Sequence, residues 1–258
     1  EEIRASAESV GRMFGIPGRN VQTLDFACSG SLEALRIAAE NVRAGAKRVL
    51  VIASERPTDH LEHPTLDRKL TPLFGDGASA VLVEKNGENP LLYLRTGTVS
   101  DPEKVIQYDH RIFTNVRGEE KEGIVRTMQS DKGHILFRSG VDGMSAMLHE
   151  AGEHVSLARG QEEPRLLVPH QPNGRMIDLI GVSCEDMLEH ATILKRIERT
   201  GNMVSSSIGA ALAMSDIPKG ISLLGTFGVA PNLREGEFSF GSAAIDWRDS
   251  QGPTTILA

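Results

Sequence analysis

The spacing of apolar residues along the chain predicts helices that alternate with short strands. Apolar positions three or four residues apart indicate helices, and short β-branched runs indicate buried strands. The run 48–54 (RVLVIAS) is typical of a strand buried in a parallel sheet. Helices are predicted over residues 1–14, 31–44, 141–155, 175–188 and 205–214, and strands over residues 21–27, 48–54, 78–84, 165–170, 221–227 and 240–247. This order favours a layered α/β fold.

Two stretches lack a regular pattern. Residues 55–73 contain three prolines and two histidines, which predicts a long loop. Residues 85–132 are polar and irregular, and we interpret them as the connection between two halves. The predicted domains are therefore 1–132, an N-terminal half with its connecting segment, and 133–258, a C-terminal half.

The two halves repeat one pattern. The strand, helix, strand, glycine turn and strand of residues 21–84 match the run 195–247, and the helix at 175–188 matches the helix at 1–14. In the second half a helix and the strand LLVPH come before the matched helix, without counterparts in the first half. We therefore expect the first half to be incomplete at its N-terminus, with the missing part cleaved, disordered or on a companion chain.

Composition excludes several classes of protein. The chain has 258 residues, of which 40% are apolar and 4% aromatic, and its formal net charge of −7 argues against general binding of nucleic acid. The two cysteines are too few for a disulfide scaffold, which favours a reducing compartment. No apolar run approaches the roughly 20 residues that span a bilayer. We expect a cytoplasmic protein with no membrane partner.

Three residues at turns are candidates for chemistry. Cys28 lies between a predicted strand and a predicted helix, where a helix N-terminus would activate a thiol as a nucleophile. His170 ends the strand LLVPH, and Asn202 follows Gly201 before a helix of small residues. Singly, they could be a core cysteine, a buried histidine and a helix cap. Together, at equivalent turns of a repeated fold, they indicate nucleophilic catalysis.

Two other motifs favour structural interpretations. The run Gly75-Asp76-Gly77-Ala78-Ser79-Ala80 satisfies a dinucleotide-binding pattern, but a strand is predicted after it where that motif needs a helix. We interpret its glycines as a tight turn where two backbones approach. His149 and His154 are five residues apart and would diverge by roughly 140° on a helix, which disfavours a metal site. We also expect Cys184, on a helix face, to be a core residue.

Four segments carry a family resemblance. They are Asp25-Phe26-Ala27-Cys28-Ser29-Gly30, Phe74-Gly75-Asp76-Gly77-Ala78, Val168-Pro169-His170-Gln171-Pro172-Asn173 with Arg175, and Gly201-Asn202-Met203-Val204-Ser205-Ser206-Ser207. In order and spacing they resemble the motifs of the β-ketoacyl-[acyl carrier protein] synthase III family, in the thiolase superfamily. The resemblance covers nearly the whole chain and lacks the family's first strand-helix-strand segment.

The resemblance implies a thiolase-like five-layered αβαβα fold of two similar halves, the first incomplete, in a homodimer or a heteromer. It assigns Cys28 as the nucleophile that accepts an acyl group. It assigns His170 and Asn202 to stabilising the enolate formed when a malonyl thioester loses carbon dioxide. The substrates would be thioesters of coenzyme A or acyl carrier protein, with no cofactor and no metal.

Further roles follow from the same resemblance. Asn173 and Arg175 would lie at the mouth that receives the pantetheine arm. Phe227-Gly228-Val229-Ala230 resembles the turn whose amide, here that of Val229, joins the amide of Cys28 in an oxyanion hole. Phe227 and Gly228 would line the substrate pocket. Met203 stands where the family usually has threonine, so it would shape the acyl pocket beside Asn202.

Alternative functions remain open at this stage. Fatty-acid initiation and a polyketide or quinolone pathway fit equally well. An enzyme that passes the acyl group to an alcohol or amine without decarboxylation is a second possibility. The neutral amide of Asn202 disfavours it, because an amide can donate to a developing enolate, whereas a carboxylate would better orient His170 as a base. Thiolase activity is disfavoured because the last strand, SFGSAAI, has no second cysteine. A third possibility is a non-catalytic partner subunit of another synthase.

Overall fold

The computed structural model describes residues 2–65, 68–128, 131–160, 162–229 and 234–249. The helices are α1 Glu2–Met13, α2 Gly30–Arg43, α3 Gly133–Arg159, α4 Gly174–Ser183, α5 Ile197–Thr200 and α6 Ser207–Ala213. The strands are β1 Arg48–Glu55, β2 Gly77–Glu84, β3 Leu91–Ser100, β4 Ile106–Thr114, β5 Glu120–Met128, β6 Leu166–Pro169, β7 Thr192–Ile193, β8 Gly220–Val229 and β9 Glu237–Trp247.

A five-stranded sheet forms the centre of the fold, in the order β3, β9, β8, β6, β7. Strand β6 is parallel to β7 and β8, whereas β9 is antiparallel to both of its neighbours. Leu223 and Leu224 of β8 point to opposite faces and are both buried. Burial on both faces explains why β8 is a continuous apolar run.

Helices cover both faces of this sheet. On one face, α3 and α4 pack through a core that includes Leu148 and Ile180. On the other face, α2 and α6 pack through Leu32 and Ile208. Beyond α2 and α6 lies the antiparallel pair β1–β2, so the described residues form four stacked layers. Among these same residues, no helix is both long and apolar enough to cross a bilayer.

Three of the element predictions were wrong, and the helix predicted over 175–188 ends at Ser183. Residues 21–26 form no strand, and a 3₁₀ turn at Ala27–Ser29 follows them. The predicted strand 48–54 exists as β1, but it pairs antiparallel with β2 and, in the described chain, has no parallel neighbour. The supposed irregular connection 85–132 contains β3, β4 and β5, in which polar residues interrupt the continuous apolar run that indicates a buried strand.

Strand β3 links the two predicted domains through its pairing. It belongs to the segment 1–132 but pairs along its length with β9 of the segment 133–258. Strands β4 and β5 form a separate hairpin, which packs against the loop after β1. The division into halves at residue 132 therefore stays a prediction, and the central sheet extends across it.

Candidate active site

The turn that carries Cys28 contains a strained residue and is held by a side-chain hydrogen bond and a close backbone approach. Ala27 has a φ of 48°, which is rare for a residue with a side chain, and α2 begins two residues after Cys28. The Ser239 hydroxyl donates to the Phe26 carbonyl over 3.0 Å. A Cβ on Gly228 would lie 2.7 Å from the amide nitrogen of Cys28, so β8 can approach this turn only with glycine there. Cys28 is half-buried at this junction.

The imidazole of His170 is buried next to the same strand. Its amide donates to the Gly225 carbonyl of β8 over 2.8 Å, three residues before Gly228. The residue is 1% exposed, and neither ring nitrogen has a hydrogen-bond partner among the described residues. Burial lowers the pKa of His170 to about 3, since the charged form loses its hydration. The ring is therefore neutral, with one N–H donor and one acceptor.

Gln171 braces the turn after His170. Its side-chain Nε2 donates to the carbonyls of Pro169 and Leu194, and its side-chain Oε1 accepts from the backbone amide of Arg196 over 2.8 Å. The side chain is fully buried. No sequence pattern predicts this role, because a buried glutamine that stabilises a turn and an exposed glutamine have the same local sequence.

Asn202 is fixed by backbone contacts on both sides. Its amide donates to the Leu73 carbonyl and its carbonyl accepts from the Gly75 amide, which forms a bridge beside the glycine turn before β2. The side-chain Oδ1 accepts from the Val204 amide over 2.9 Å. That bond orients the amide and leaves its Nδ2 group as a donor. The residue is 7% exposed.

The structure brings the Cys28 and Asn202 turns together. A Cβ on Gly30 would lie 3.1 Å from the Cβ of Ser205, so the 3₁₀ turns Ala27–Ser29 and Val204–Ser206 are in contact. His170 is attached to the same end of β8 that contacts Cys28. The turns of Cys28 and Asn202 are thus in contact, and the turns of Cys28 and His170 both adjoin the carboxyl end of β8, at the edge of the sheet where α/β active sites form.

The predicted substrate-binding residues are placed as follows. Asn173 caps α4, and its Oδ1 accepts from the Met176 amide over 2.9 Å. The exposed Arg175 guanidinium lies over the ring of Phe137. Met203 is buried against Gly77, where a Cβ would meet its sulfur. Phe227 is half-buried, with its ring 4.8 Å from that of Phe238.

The predicted oxyanion turn lies at the end of β8. Gly228 contacts the Cys28 amide, and Val229 packs against the buried cluster of Leu61, Leu70 and Ile106 beside the β4–β5 hairpin. Ala230, the last residue of the matched motif, lies outside the described residues.

Comparisons with known proteins show the family to which the chain belongs. A family model for 3-oxoacyl-[acyl-carrier-protein (ACP)] synthase III matches residues 24–101. The β-ketoacyl-[acyl-carrier-protein] synthase III of Xanthomonas oryzae pv. oryzae is 30% identical over 241 residues, which cover 90% of this chain and 68% of the relative. The chain belongs to the β-ketoacyl-[acyl-carrier-protein] synthase III family. The predicted resemblance is thereby confirmed.

A second family member and a crystal structure extend the comparison. The protein of the same name from Actinobacillus pleuropneumoniae is 30% identical over 225 residues, and the chain spans 65% of its length. The β-ketoacyl-[acyl carrier protein] synthase III of Thermus thermophilus superposes with a TM-score of 0.71 at 27% identity, covering 93% of this chain and 72% of that one. The thiolase-like fold is confirmed.

The motifs given structural interpretations can be placed within this β-ketoacyl synthase III fold. A Cβ on Gly75 would lie 2.2 Å from the Thr200 carbonyl oxygen, so the close backbone approach is confirmed. His149 contacts the Ser145 carbonyl and Asp186, whereas His154 stacks on Tyr93. Cys184 is fully buried, and burial raises the pKa of its thiol to about 11. It is the core residue that was predicted.

Proposed function

We propose that this chain carries the catalytic residues of a β-ketoacyl synthase III-type acyltransferase. In this proposal Cys28 carries an acyl group as a thioester. The acyl group then condenses with a malonyl thioester of coenzyme A or acyl carrier protein. The observation that carries the proposal is the buried, neutral imidazole of His170, whose two nitrogens have no partner among the described residues. Buried polar atoms without partners are rare in folded proteins and suit a ligand that supplies the partner.

The first step is acyl transfer to Cys28. The thiolate of Cys28 attacks the carbonyl carbon of an acyl thioester, and the carbonyl oxygen becomes an oxyanion. Amides at Cys28 and Val229 would donate to that oxygen, which is the arrangement that stabilises acyl-transfer intermediates. The intermediate collapses, the carbon–sulfur bond of the incoming thioester breaks, and the carrier leaves as a thiolate. The contact between Gly228 and the Cys28 amide supports this placement.

The second step is decarboxylation and condensation. The bond between the malonyl carboxylate and its methylene carbon breaks, carbon dioxide leaves, and the electron pair forms a thioester enolate. The N–H of His170 and the Nδ2 group of Asn202 would donate to the enolate oxygen. The enolate carbon then attacks the acyl carbonyl on Cys28, and the Cys28 thiolate leaves from the β-ketoacyl product. A neutral imidazole suits this role because it donates without a charge to be desolvated.

The wider parts of the proposal concern pathway and assembly. The names of the relatives favour fatty-acid initiation and acyl carrier protein as a partner. A polyketide or quinolone pathway, a homodimer or heteromer, and a cytoplasmic location are expectations carried from the sequence. The steps described use thioester substrates and neither a cofactor nor a metal.

The experiment separates acyl loading from decarboxylation. Intact mass measures acylation of the chain by a panel of acyl thioesters, and labelled malonyl thioester measures release of carbon dioxide. His170→Ala and Asn202→Ala should each leave loading intact and slow carbon dioxide release by roughly 10²- to 10³-fold, since each removes one donor to the enolate oxygen. Asn202→Asp should release carbon dioxide no faster than Asn202→Ala, because its carboxylate repels the negative charge that develops on the enolate oxygen.

Controls identify the nucleophile and the competing functions. Cys28→Ala should abolish loading, whereas Cys184→Ala should retain it because a buried thiol with a raised pKa does not react. An Asn202→Asp variant that transfers acyl groups at the parent rate to an alcohol or amine would favour the non-decarboxylating enzyme. Failure of every thioester to load the chain would favour a non-catalytic partner subunit.

A further inference from the structure

Two turns in the site have the same construction. The 3₁₀ turn Ala27–Ser29 leads directly into α2, and the 3₁₀ turn Val204–Ser206 leads directly into α6. Ala27 and Val204, the first residues of the turns, both have a φ of 48°. The second residues are Cys28 and Ser205. Ser205 therefore occupies in the second half the position that Cys28 occupies in the first.

The two turns differ in what faces them. The Cys28 amide faces Gly228 near the end of β8, where the absence of a side chain lets the strand pack directly against the turn of the nucleophile. Ser205 faces Glu55, the last residue of β1, and β1 pairs with β2 as β8 pairs with β9. Both the amide and the hydroxyl of Ser205 donate to the Glu55 carboxylate, the amide over 3.4 Å and the hydroxyl through a shorter bond. In the second turn, the Glu55 carboxylate thus accepts the hydrogen bonds of both Ser205 donors.

The contact between Glu55 and Ser205 adjoins Val204, whose backbone amide orients the side chain of Asn202. The Val204 amide, adjacent to Ser205, donates to the Oδ1 of Asn202. Val204 is β-branched and has a φ of 48°, in the left-handed region, a conformation that is unfavourable for such a residue and persists only when its surroundings hold it. A charged hydrogen bond to the next residue is a contact strong enough to do so.

We propose that Glu55 is a positioning residue for Asn202. Its carboxylate holds Ser205, Ser205 keeps Val204 in its strained conformation, and the Val204 amide orients the Asn202 side chain so that its Nδ2 group faces the substrate. This inference rests on the proposed function, in which that group donates to the enolate oxygen. Glu55 itself touches no substrate in this arrangement.

The test compares Glu55→Ala with Glu55→Gln. Glu55→Ala should leave acylation of Cys28 within about twofold of the parent and lower the kcat of carbon dioxide release roughly tenfold, which is the loss expected for one charged hydrogen bond. Glu55→Gln keeps an oxygen that accepts from the Ser205 hydroxyl and should stay within about threefold of the parent. Ser205→Ala should behave like Glu55→Ala. Glu84→Ala, at the other end of this strand pair and in an exposed ion pair with Arg48, is the matched control and should change nothing.

A double-mutant cycle and an activity-independent signal complete the test. In an Asn202→Ala background, Glu55→Ala should cause no further loss, because the group it orients is gone. Additive losses, or equal losses of loading and decarboxylation, would overturn the positioning role. The NMR signal of the Asn202 side-chain amide should shift or broaden in Glu55→Ala and persist in Glu55→Gln. An unchanged signal would overturn the inference even if the parent proved inactive, and an inactive parent alone would overturn the proposed function.

Discussion

Burial determines the protonation state of the site's histidine. His170 is enclosed at the end of β6, and no carboxylate among the described residues contacts its ring. A buried imidazole with no anionic partner stays neutral because its charged form would lose hydration without compensation. The same effect keeps Cys184 protonated and inert. Environment, and not residue type, distinguishes these side chains from surface histidines and reactive thiols.

This burial predicts a pH dependence of stability. The pKa of His170 falls from 6.5 in the unfolded chain to about 3 in the folded chain, so between these values only the unfolded state binds the proton. Stability contributed by the neutral ring is complete above pH 6.5 and is lost as the pH falls toward 3. Relative to His170→Gln, the free energy of unfolding of the parent should fall by up to about 1.4 kcal/mol per pH unit below pH 6. Urea unfolding of the parent and of His170→Gln at several pH values measures the difference in their free energies of unfolding. A difference that does not vary with pH would contradict the prediction.

At the scale of elements, α4 shows how a predicted binding residue can serve the fold. Asn173 adopts extended backbone angles before the helix, and its side chain accepts from the Met176 amide in the first turn. An amide that cannot bond within the helix is satisfied in this way. The helix then carries Arg175 outward, over Phe137 of α3. A role of Asn173 toward pantetheine remains a prediction beside this cap.

The cap predicts a graded series of variants. Asn173→Ala should lower the free energy of unfolding by about 1 kcal/mol, because the Met176 amide loses its acceptor. Asn173→Asp and Asn173→Ser keep a side-chain oxygen and should stay close to the parent. Chemical denaturation measures the series. Equal losses in all three variants would show that the side chain matters for something other than the cap.

At the scale of the whole molecule, the central sheet and the β1–β2 pair differ in how many of their faces are covered by helices. The central sheet has helices on both faces, whereas the described residues cover the β1–β2 pair only on the side of α2 and α6. Val51 and Ala53 face that side and are buried, while Ile52, opposite Ala80, is 43% exposed. Within the described residues, each of these two strands also has one unpaired edge.

An exposed apolar face between unpaired edges favours association. We expect the chain by itself to self-associate at micromolar concentrations, and Ile52→Glu to reduce this without loss of thermal stability. Light scattering and sedimentation measure the association. Val99→Glu, at a comparably exposed position on β3, is the control and should have a smaller effect. A parent chain that remains monomeric at every concentration would contradict the prediction.

Local patterns in the sequence were sufficient for much of the fold and for the candidate site. The apolar periodicity of α2, the small residues of α6 and the short apolar runs of β1 and β8 predicted those elements, because each of these patterns depends only on neighbours along the chain. The internal repeat and the motifs around Cys28, His170 and Asn202 led to the family. The β4–β5 hairpin was missed because its strands, IQYDHRIFT and EKEGIVRTM, have neither a continuous apolar run nor a regular alternation of apolar and polar residues.

What the sequence alone determined is therefore the order of the elements, the family and the three turn residues, all of which depend on neighbours along the chain. The pairing of β3 with β9, the contact between Glu55 and Ser205, and the buried state of His170 were decided only in the folded chain. Each joins segments far apart in sequence or depends on the packing of several such segments. Register, desolvation and hydrogen bonds of this kind arise from packing, and no local pattern encodes them.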